Sequence, residues 1–193
     1  MAECGSSIAE IEKTCGGNAP GLKTTIYIGY KGHVASIPSP GAGTHIITGD
    51  ITMEEDRGMY AWGISKGGNS YESNPEGEDE SVENEITIKV FINKLEADKT
   101  YILNDVHGGE FILLIPDRNG KMRLIGDLEE GATIRVKEQT NDKNGYDLTI
   151  TWPTNHLPYY YEGDIPILNI VSTTLVDDLG NTLVDDFDNT LIN

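Results

Sequence analysis

Histidine is the side chain in this sequence best suited to acid–base catalysis or metal binding, because imidazole changes its charge near neutral pH. The four histidines are far apart, at His33, His45, His107 and His156. None has the spacing of a zinc or metalloprotease motif, and there is no nucleophile elbow, phosphate-binding loop or dinucleotide fingerprint. We therefore expect no enzymatic activity, no cofactor and no dedicated metal site.

Two short segments resemble the start of a calcium-binding loop. Asp117-x-Asn119-Gly120 and Asp142-x-Asn144-Gly145 both lack the later ligands and the closing Glu of an EF-hand. Each lies between runs of alternating apolar residues, where Asn-Gly favours a hairpin turn. The sequence thus predicts two hairpin turns, with a type I′ turn at Asn119-Gly120.

Aromatic side chains could bind sugars by stacking. The candidates are Trp62, Trp152 and the run Tyr159–Tyr161. Trp152 shares the phase of Ile150 in an alternating strand, which predicts a core position. We expect the tyrosine run to pack against a neighbour or to cap the core, and carbohydrate binding remains an alternative function.

Net charge excludes several classes of partner. The chain of 193 residues has 32 acidic and 14 basic residues, a formal charge of −18. Such a chain repels phosphate backbones and anionic membranes. The N-terminus lacks the pattern of a secretion signal, no segment has the length of a membrane span, and Cys4 and Cys15 are expected to be reduced thiols. We expect synthesis and assembly in a cytoplasm.

The acidic residues are concentrated in two segments without basic residues. The first contains Glu72, Glu76, Glu78, Asp79, Glu80, Glu83 and Glu85, and the second contains Asp177, Asp178, Asp185, Asp186 and Asp188. Residues 66–85 have almost no apolar content, which predicts an exposed, mobile loop. The second segment belongs to an eight-residue repeat, TLVDDLGN followed by TLVDDFDN, over residues 174–189. A third copy begins as TLIN at residues 190–193, and two and a half copies are too few for a solenoid, so we predict an extended arm or a small ribbon.

Period-two alternation of apolar residues dominates the rest of the chain. Strands are predicted around residues 24–30, 45–53, 59–64, 86–92, 111–115, 121–125, 132–137 and 146–152. The continuous run Phe111–Ile115 predicts a strand buried on both faces. Only Ser7–Glu12, which begins with a capping box, is predicted to be helical.

These elements predict a mainly β fold, an antiparallel barrel or sandwich with a short N-terminal helix, a long acidic loop and an extended C-terminal arm. The predicted divisions are an N-terminal arm at 1–23, a β core at 24–152 with the acidic insertion at 66–85, and a C-terminal arm at 153–193.

The order of the central elements is similar to that of tail tube proteins of long-tailed bacteriophages. The resemblance extends from Gly58 to Trp152. It rests on an acidic loop followed by an alternating strand, then on FILLIPDRNGKMRLIG (Phe111–Gly126), and on a final strand GYDLTITW. It implies a virion structural protein that closes into sixfold rings, which stack into a tube. Ring strands would form a continuous inner barrel.

The resemblance also implies partners: copies of the same chain, other tail proteins, and DNA only as a passing cargo that the acidic wall does not hold. The acids of Glu72–Glu85 are then candidates for the lumen or for contacts between rings. Contact acids would need bases on a neighbour, such as Lys89, Lys94, Lys121 or Arg123. The alternative functions are another virion β-protein, such as a head–tail connector or capsid decoration, or a carbohydrate- or receptor-binding module.

Overall fold

The computed structural model describes residues 18–76 and 83–168. The predicted N-terminal helix, the centre of the acidic segment and the repeat of the C-terminal arm lie outside these residues. The described strands are β1 (Thr25–Tyr30), β2 (Val34–Ser36), β3 (Ile46–Ile47), β4 (Thr52–Met53), β5 (Tyr60–Gly63), β6 (Ser70–Glu76), β7 (Glu83–Asn93), β8 (Glu110–Pro116), β9 (Met122–Ile125), β10 (Ala132–Gln139), β11 (Gly145–Thr154) and β12 (Tyr160–Tyr161). A 3-10 turn spans Lys31–His33, and one α-helix, α1, spans Ala97–Asp105.

The chain is mainly β, as expected, and most of its strands form one curled sheet with the shape of a half-barrel. One path through the sheet runs β5-β1-β8-β10-β11-β7-β6, with antiparallel pairing throughout. The edge of β8 that pairs with β10 near Phe111 pairs with β9 from Leu113 to Pro116, and β9 begins a branch in the order β9-β12-β3. In this branch, β12 pairs with β3 in parallel. The sheet is therefore mixed, whereas the sequence predicted an antiparallel one.

β8 is the central strand of the fold. It pairs with β1 along one edge, while the other edge is shared between β10 and β9. Phe111, Leu113 and Ile115 face the inner core, and Ile112 and Leu114 face a second core on the opposite side of the strand. All five are at most 2% exposed, which confirms a strand buried on both faces. Each such side chain contributes about 1.5–3 kcal/mol of burial free energy.

The inner core fills the concave side of the sheet. It receives the alternating apolar residues of the long strands, including Ile86, Ile88 and Val90 of β7 and Leu148, Ile150 and Trp152 of β11. Trp152 also donates its Nε1–H to the carbonyl of Glu130 at 2.9 Å. The alternation in the sequence predicted these inward positions, and the structure confirms them.

α1 is an element that the sequence did not predict. The sequence predicts a helix only at Ser7–Glu12. α1 is polar and buries only Leu103, so its sequence has almost no apolar periodicity. Val106 just after it is also buried against the inner core, and His107 bridges to Ile134 of β10. The helix is thus fixed by its place over the sheet rather than by an amphipathic pattern.

The segment predicted as one strand over residues 45–53 is divided in two. β3 pairs with β12, whereas β4 pairs with β2 in a separate two-stranded ribbon. The break occurs around Asp50, whose Oδ1 accepts the backbone N–H of Asp164 at 2.7 Å. Ile51 N–H donates to the hydroxyl of Tyr161 at 3.1 Å, so hydrogen bonds outside the ladder replace strand pairing here.

Candidate assembly surface

The described flanks of the acidic segment, residues 70–76 and 83–85, are paired strands rather than the predicted loop, and we call this strand pair the acidic hairpin. Residues 70–76 form β6, and residues 83–85 begin β7. Tyr71 stands opposite Ile88 and Ser73 opposite Ile86, so alternate residues of β6 lie over the apolar face of β7. Pairing with this apolar strand stabilises β6 despite its polar sequence, because strand preference depends on cross-strand neighbours.

Two rows of the outer face of β6, β7, β11 and β10 are polar, and the next row contains the buried Phe91 opposite Asp147. In register across this face lie Glu72, Thr87, Thr151 and Thr133 in one row, and Ser70, Lys89, Thr149 and Arg135 in the next. The hydroxyls of Thr133 and Thr151 are 2.9 Å apart. Threonine suits a strand surface because its branched side chain packs across strands while its hydroxyl remains polar. We call this face the Thr face.

One end of the Thr face is acidic. Glu72 is exposed beside Thr87, and Glu85 and Glu83 are exposed on the outer side of β7. The register places Glu83 directly opposite Glu76 and Glu85 opposite Asn74. Like charges in opposed positions weaken a hairpin, so this clustering needs an explanation other than strand pairing. The remaining candidates Glu78, Asp79 and Glu80 lie outside the described residues.

The other end of the Thr face is basic. Lys89 and Arg135 lie in the same row on either side of Thr149, and Lys137 stands opposite Asp147 one row further. All three basic residues are exposed. At about 3.3 Å per residue, Lys89 is roughly 20 Å along β7 from Glu83. Sequence reasoning named Lys89 but not Arg135 or Lys137, because the register that aligns them is not visible in the sequence.

The charges of the Thr face are not paired within the part of the chain that the structure describes. The ion pairs there join Lys31 to Glu110, Lys94 and Lys99 to Glu96, and Lys121 to Glu162. None of them involves a residue of the Thr face. The face therefore presents mainly acidic residues toward Glu83 and mainly basic residues toward Lys137, and among the described residues neither group has an ion-pair partner.

Three of the four bases suggested as partners for the acids already have contacts within the chain. Lys94 and Lys99 hold Glu96, and their hydrogen bonds lower the pKa of that carboxyl to about 2. Arg123 lies between the rings of Tyr71 and Tyr160, 4.5 and 5.4 Å from their centroids. Lys121 contacts Glu162 at 3.3 Å, which leaves Lys89 as the suggested base on the Thr face.

The four-stranded part of the sheet has two open edges. Within the described part of the chain, β6 pairs only with β7, and its Pro75 is compatible with an edge because proline has no N–H to donate. β10 pairs with β8 only through Ala132 and Thr133, so the edge from Arg135 to Gln139 has no strand partner among the described residues. Open edges of this kind can pair with another chain.

Two histidines that are distant in the sequence meet in space. The Nε2 of His45 and the Nδ1 of His156 lie 2.7 and 2.8 Å from the carbonyl oxygen of Leu157. Because a carbonyl only accepts, both nitrogens carry a proton. The ring of Tyr159 packs on both imidazoles, with centroids 4.5 Å apart in each case. These histidines stabilise the segment before β12 through their contacts with Leu157 and Tyr159. The two histidines are 111 positions apart, so their spacing in the sequence does not indicate that they meet.

The calcium-like segments are hairpin turns, as predicted. Asp117 Oδ1 accepts the backbone N–H of Lys121 at 2.9 Å, so this carboxylate closes the turn. Gly120 has φ +84, whereas Asn119 has no positive φ. The turn is therefore not the predicted type I′ but a longer hairpin loop with one glycine in the left-handed region. At the second segment, the backbone and side-chain oxygens of Asn144 accept the N–H groups of Lys94 and Leu95.

The aromatic residues considered for sugar binding have other positions. Trp152 and Tyr161 are buried, and Tyr160 and Tyr159 pack on Arg123 and on the histidines. Trp62 lines a cleft beside α1.

Within residues 18–76 and 83–168, no group of three or more His, Cys, Asp or Glu side chains is placed to hold a metal ion. No helix in the same residues has the length and apolar character needed to cross a membrane. The acidic candidates of the C-terminal arm, Asp177, Asp178, Asp185, Asp186 and Asp188, lie outside the described residues.

Neither a family model, nor a curated protein, nor a solved structure matches this chain.

Proposed function

We propose that this chain is a non-enzymatic virion subunit that assembles with copies of itself into stacked rings, forming a bacteriophage tail tube for the passage of DNA. The observation that carries the proposal is the Thr face, whose exposed acids and bases have no ion-pair partner among the described residues. Glu83 lies roughly 20 Å along β7 from Lys89, whereas Glu72 stands in the row next to that of Lys89. A surface with opposite charges at its two ends complements a copy of itself placed end to end.

The two open edges support a ring. If β6 of one copy pairs with β10 of the next, the four-stranded sheets become one continuous sheet, and the Thr face becomes one wall. The backbone groups of exposed edges then acquire partners, which removes the tendency of an open edge to pair at random.

The acidic hairpin supports stacking of the rings. The described part of the hairpin extends one residue pair beyond the last row of β11, since Glu83 stands opposite Glu76 and, among the described residues, opposite no residue of β11. In a stack, Glu83 and Glu85 of one copy would approach Lys89, Arg135 and Lys137 of the next. Each pairing would neutralise a charge that has no ion-pair partner within residues 18–76 and 83–168.

The charge of the wall supports a channel for DNA. With Glu72, Glu83, Glu85 and Asp147 against three bases, the described acids still outnumber the bases on the Thr face. Such a wall repels phosphates, so DNA slides through instead of binding. The mature location would be the virion tail, after assembly in the host cytoplasm.

Negative-stain electron microscopy of the purified full chain tests this function. Rings or hollow tubes are expected near physiological salt, and persistent single particles at high protein concentration would contradict the proposal. A hairpin variant with E72Q, E83Q and E85Q should assemble poorly. Its matched control carries E54Q, E55Q and E129Q, which replace three exposed acids away from the Thr face. If the hairpin variant forms normal tubes and these tubes deliver DNA, then its acids have no role in assembly or in the channel.

A further inference from the structure

A cleft opens between α1 and the inner side of β1 and β5. Its volume is about 510 Å³. Apolar and aromatic side chains form most of its lining, including Ile28, Tyr30, Tyr60, Trp62, Ile102 and Phe111. Tyr60 and Ile102 are 45% and 51% exposed, so a small molecule can reach the cleft from solvent. Concave, largely apolar sites of this size are typical of small-molecule binding.

Aromatic rings from three strands line this cleft. Tyr30 of β1 and Phe111 of β8 pack on each other, with ring centroids 4.9 Å apart. Tyr60 and Trp62 of β5 stand opposite residues of β1 whose side chains belong to the inner core. Directly opposed residues point to the same side of a sheet, so these rings share the inner side. Aromatic rings attract cations to their electron-rich faces, and Trp and Tyr do so most strongly.

Asp105 brings a negative charge to the same cleft. It is the only charged residue among those that line the cleft, and it is exposed. It is also the last residue of α1, where the helix dipole is negative, and the last turn of α1 has no basic residue. No ion pair within residues 18–76 and 83–168 includes Asp105. An acid at the C-terminus of a helix is electrostatically unfavourable, and a bound cation would remove that cost.

We propose that this cleft binds a small organic cation, a molecule with an ammonium group on an apolar body. The apolar body would contact Ile28 and Ile102, and the charge would lie between the aromatic rings and Asp105. A metal cation gains nothing from the apolar lining, and a neutral apolar molecule leaves Asp105 without a counter-charge. The proposal concerns a single chain, so it does not depend on the tail tube function.

Calorimetric titration of the full chain with two matched probes tests the chemistry of the ligand. Benzylammonium carries a positive charge, whereas benzyl alcohol has nearly the same size without one. Benzylammonium should bind about tenfold more tightly, because only the cation gains from the rings and from Asp105. D105N should weaken the binding of benzylammonium about fivefold and leave that of benzyl alcohol unchanged.

D98N is the matched control, because Asp98 is an exposed acid in the first turn of the same helix. It removes the same charge and should leave both affinities unchanged. Equal affinities of the two probes, absence of saturable binding of benzylammonium, or equal effects of D98N and D105N would each overturn the proposal.

Fluorine NMR locates the bound cation in the native chain. A chain labelled with 5-fluorotryptophan contains two labelled residues, Trp62 in the cleft and Trp152, which is 2% exposed. The spectrum of W62F assigns the two signals. Benzylammonium should shift the Trp62 signal in a saturable manner and leave the Trp152 signal in place. A Trp62 signal that does not move, or equal shifts of both signals, would overturn the proposal even if D105N fails to fold.

Discussion

Replacement of Tyr146 by phenylalanine should release the start of α1 from the sheet. Tyr146 is fully buried in β11, and its hydroxyl lies 2.6 Å from Oγ1 of Thr100. The same hydroxyl accepts the backbone N–H of Glu96 at 3.2 Å and donates to the carbonyl of Glu96 at 3.1 Å. The side chain of Glu96 does not cap the helix. The hydroxyl of a distant strand thus replaces a local cap.

The magnitude follows from these three contacts. Each hydrogen bond contributes about 0.5–1.5 kcal/mol net to the free energy of unfolding. Water can reach the half-buried Glu96 and partly replace the lost bonds, so Y146F should lower the free energy of unfolding by about 2 kcal/mol. The helix should be affected first, since its start loses the anchor. Amides of α1 should then exchange up to about 30-fold faster, because each 1.4 kcal/mol is a factor of ten.

Urea denaturation followed by circular dichroism measures the free energy of unfolding, and hydrogen exchange measures the local effect. Y27F is the matched control, because Tyr27 is half-buried and no hydrogen bond of its hydroxyl is recorded among the described residues. A loss below about 0.5 kcal/mol for Y146F, or equal losses for the two variants, would refute the anchoring role of the hydroxyl.

Two further predictions concern charge and backbone geometry. The hydrogen bonds from Lys94 and Lys99 lower the pKa of Glu96 from 4.5 to about 2. The stability that this ionised carboxylate contributes should therefore be present above pH 4.5 and disappear as the pH falls toward 2. A carboxyl titration of Glu96 by NMR with a midpoint near 4.5 would contradict this prediction. Gly126 has φ +90, and a Cβ there would lie 2.6 Å from the carbonyl oxygen of Phe111, so G126A should lower the free energy of unfolding by about 2 kcal/mol or more. G32A, where a Cβ meets open space, should differ from the native chain by less than about 0.5 kcal/mol in the same denaturation experiment.

Alternation in the sequence was sufficient to predict the strands that form the inner core. β7 and β11 have one apolar side and one polar side over most of their length, and both are paired and buried as that pattern requires. The continuous apolar run of β8 indicated burial on both faces, because a strand exposed on one side would alternate. These features depend on local sequence alone.

The acidic hairpin and α1 could not be predicted for a common physical reason. The residues of β6 have weak strand preference, and β6 forms because β7 offers it an apolar face and a backbone ladder. α1 buries only Leu103, and a hydroxyl from β11 anchors its start. In both cases the stabilising partner lies in another part of the chain.

The candidate surface was predictable only in part. The sequence identified the acids at one end of the Thr face and one of its bases, Lys89. Arg135 and Lys137 were visible only as polar residues of an alternating strand. The register between β10, β11 and β7 aligns them with Lys89, and no local pattern encodes that register.

Assembly through the Thr face is the central claim, and charge reversal with complementation tests it most directly. A variant with K89E, R135E and K137E should form no stacked tubes and sediment no faster than single rings, because its acids would meet the acids of the next ring. A control of equal net charge, with K23E, R57E and K66E at exposed positions elsewhere, should form the same rings or tubes as the native chain. Mixing the reversed variant with one carrying E72K, E83K and E85K should restore co-assembly, and salt well above 0.15 M should weaken it as the screening length falls below about 8 Å. Normal assembly by the K89E, R135E and K137E variant would contradict the claim. The same would follow if the control with K23E, R57E and K66E also failed to assemble.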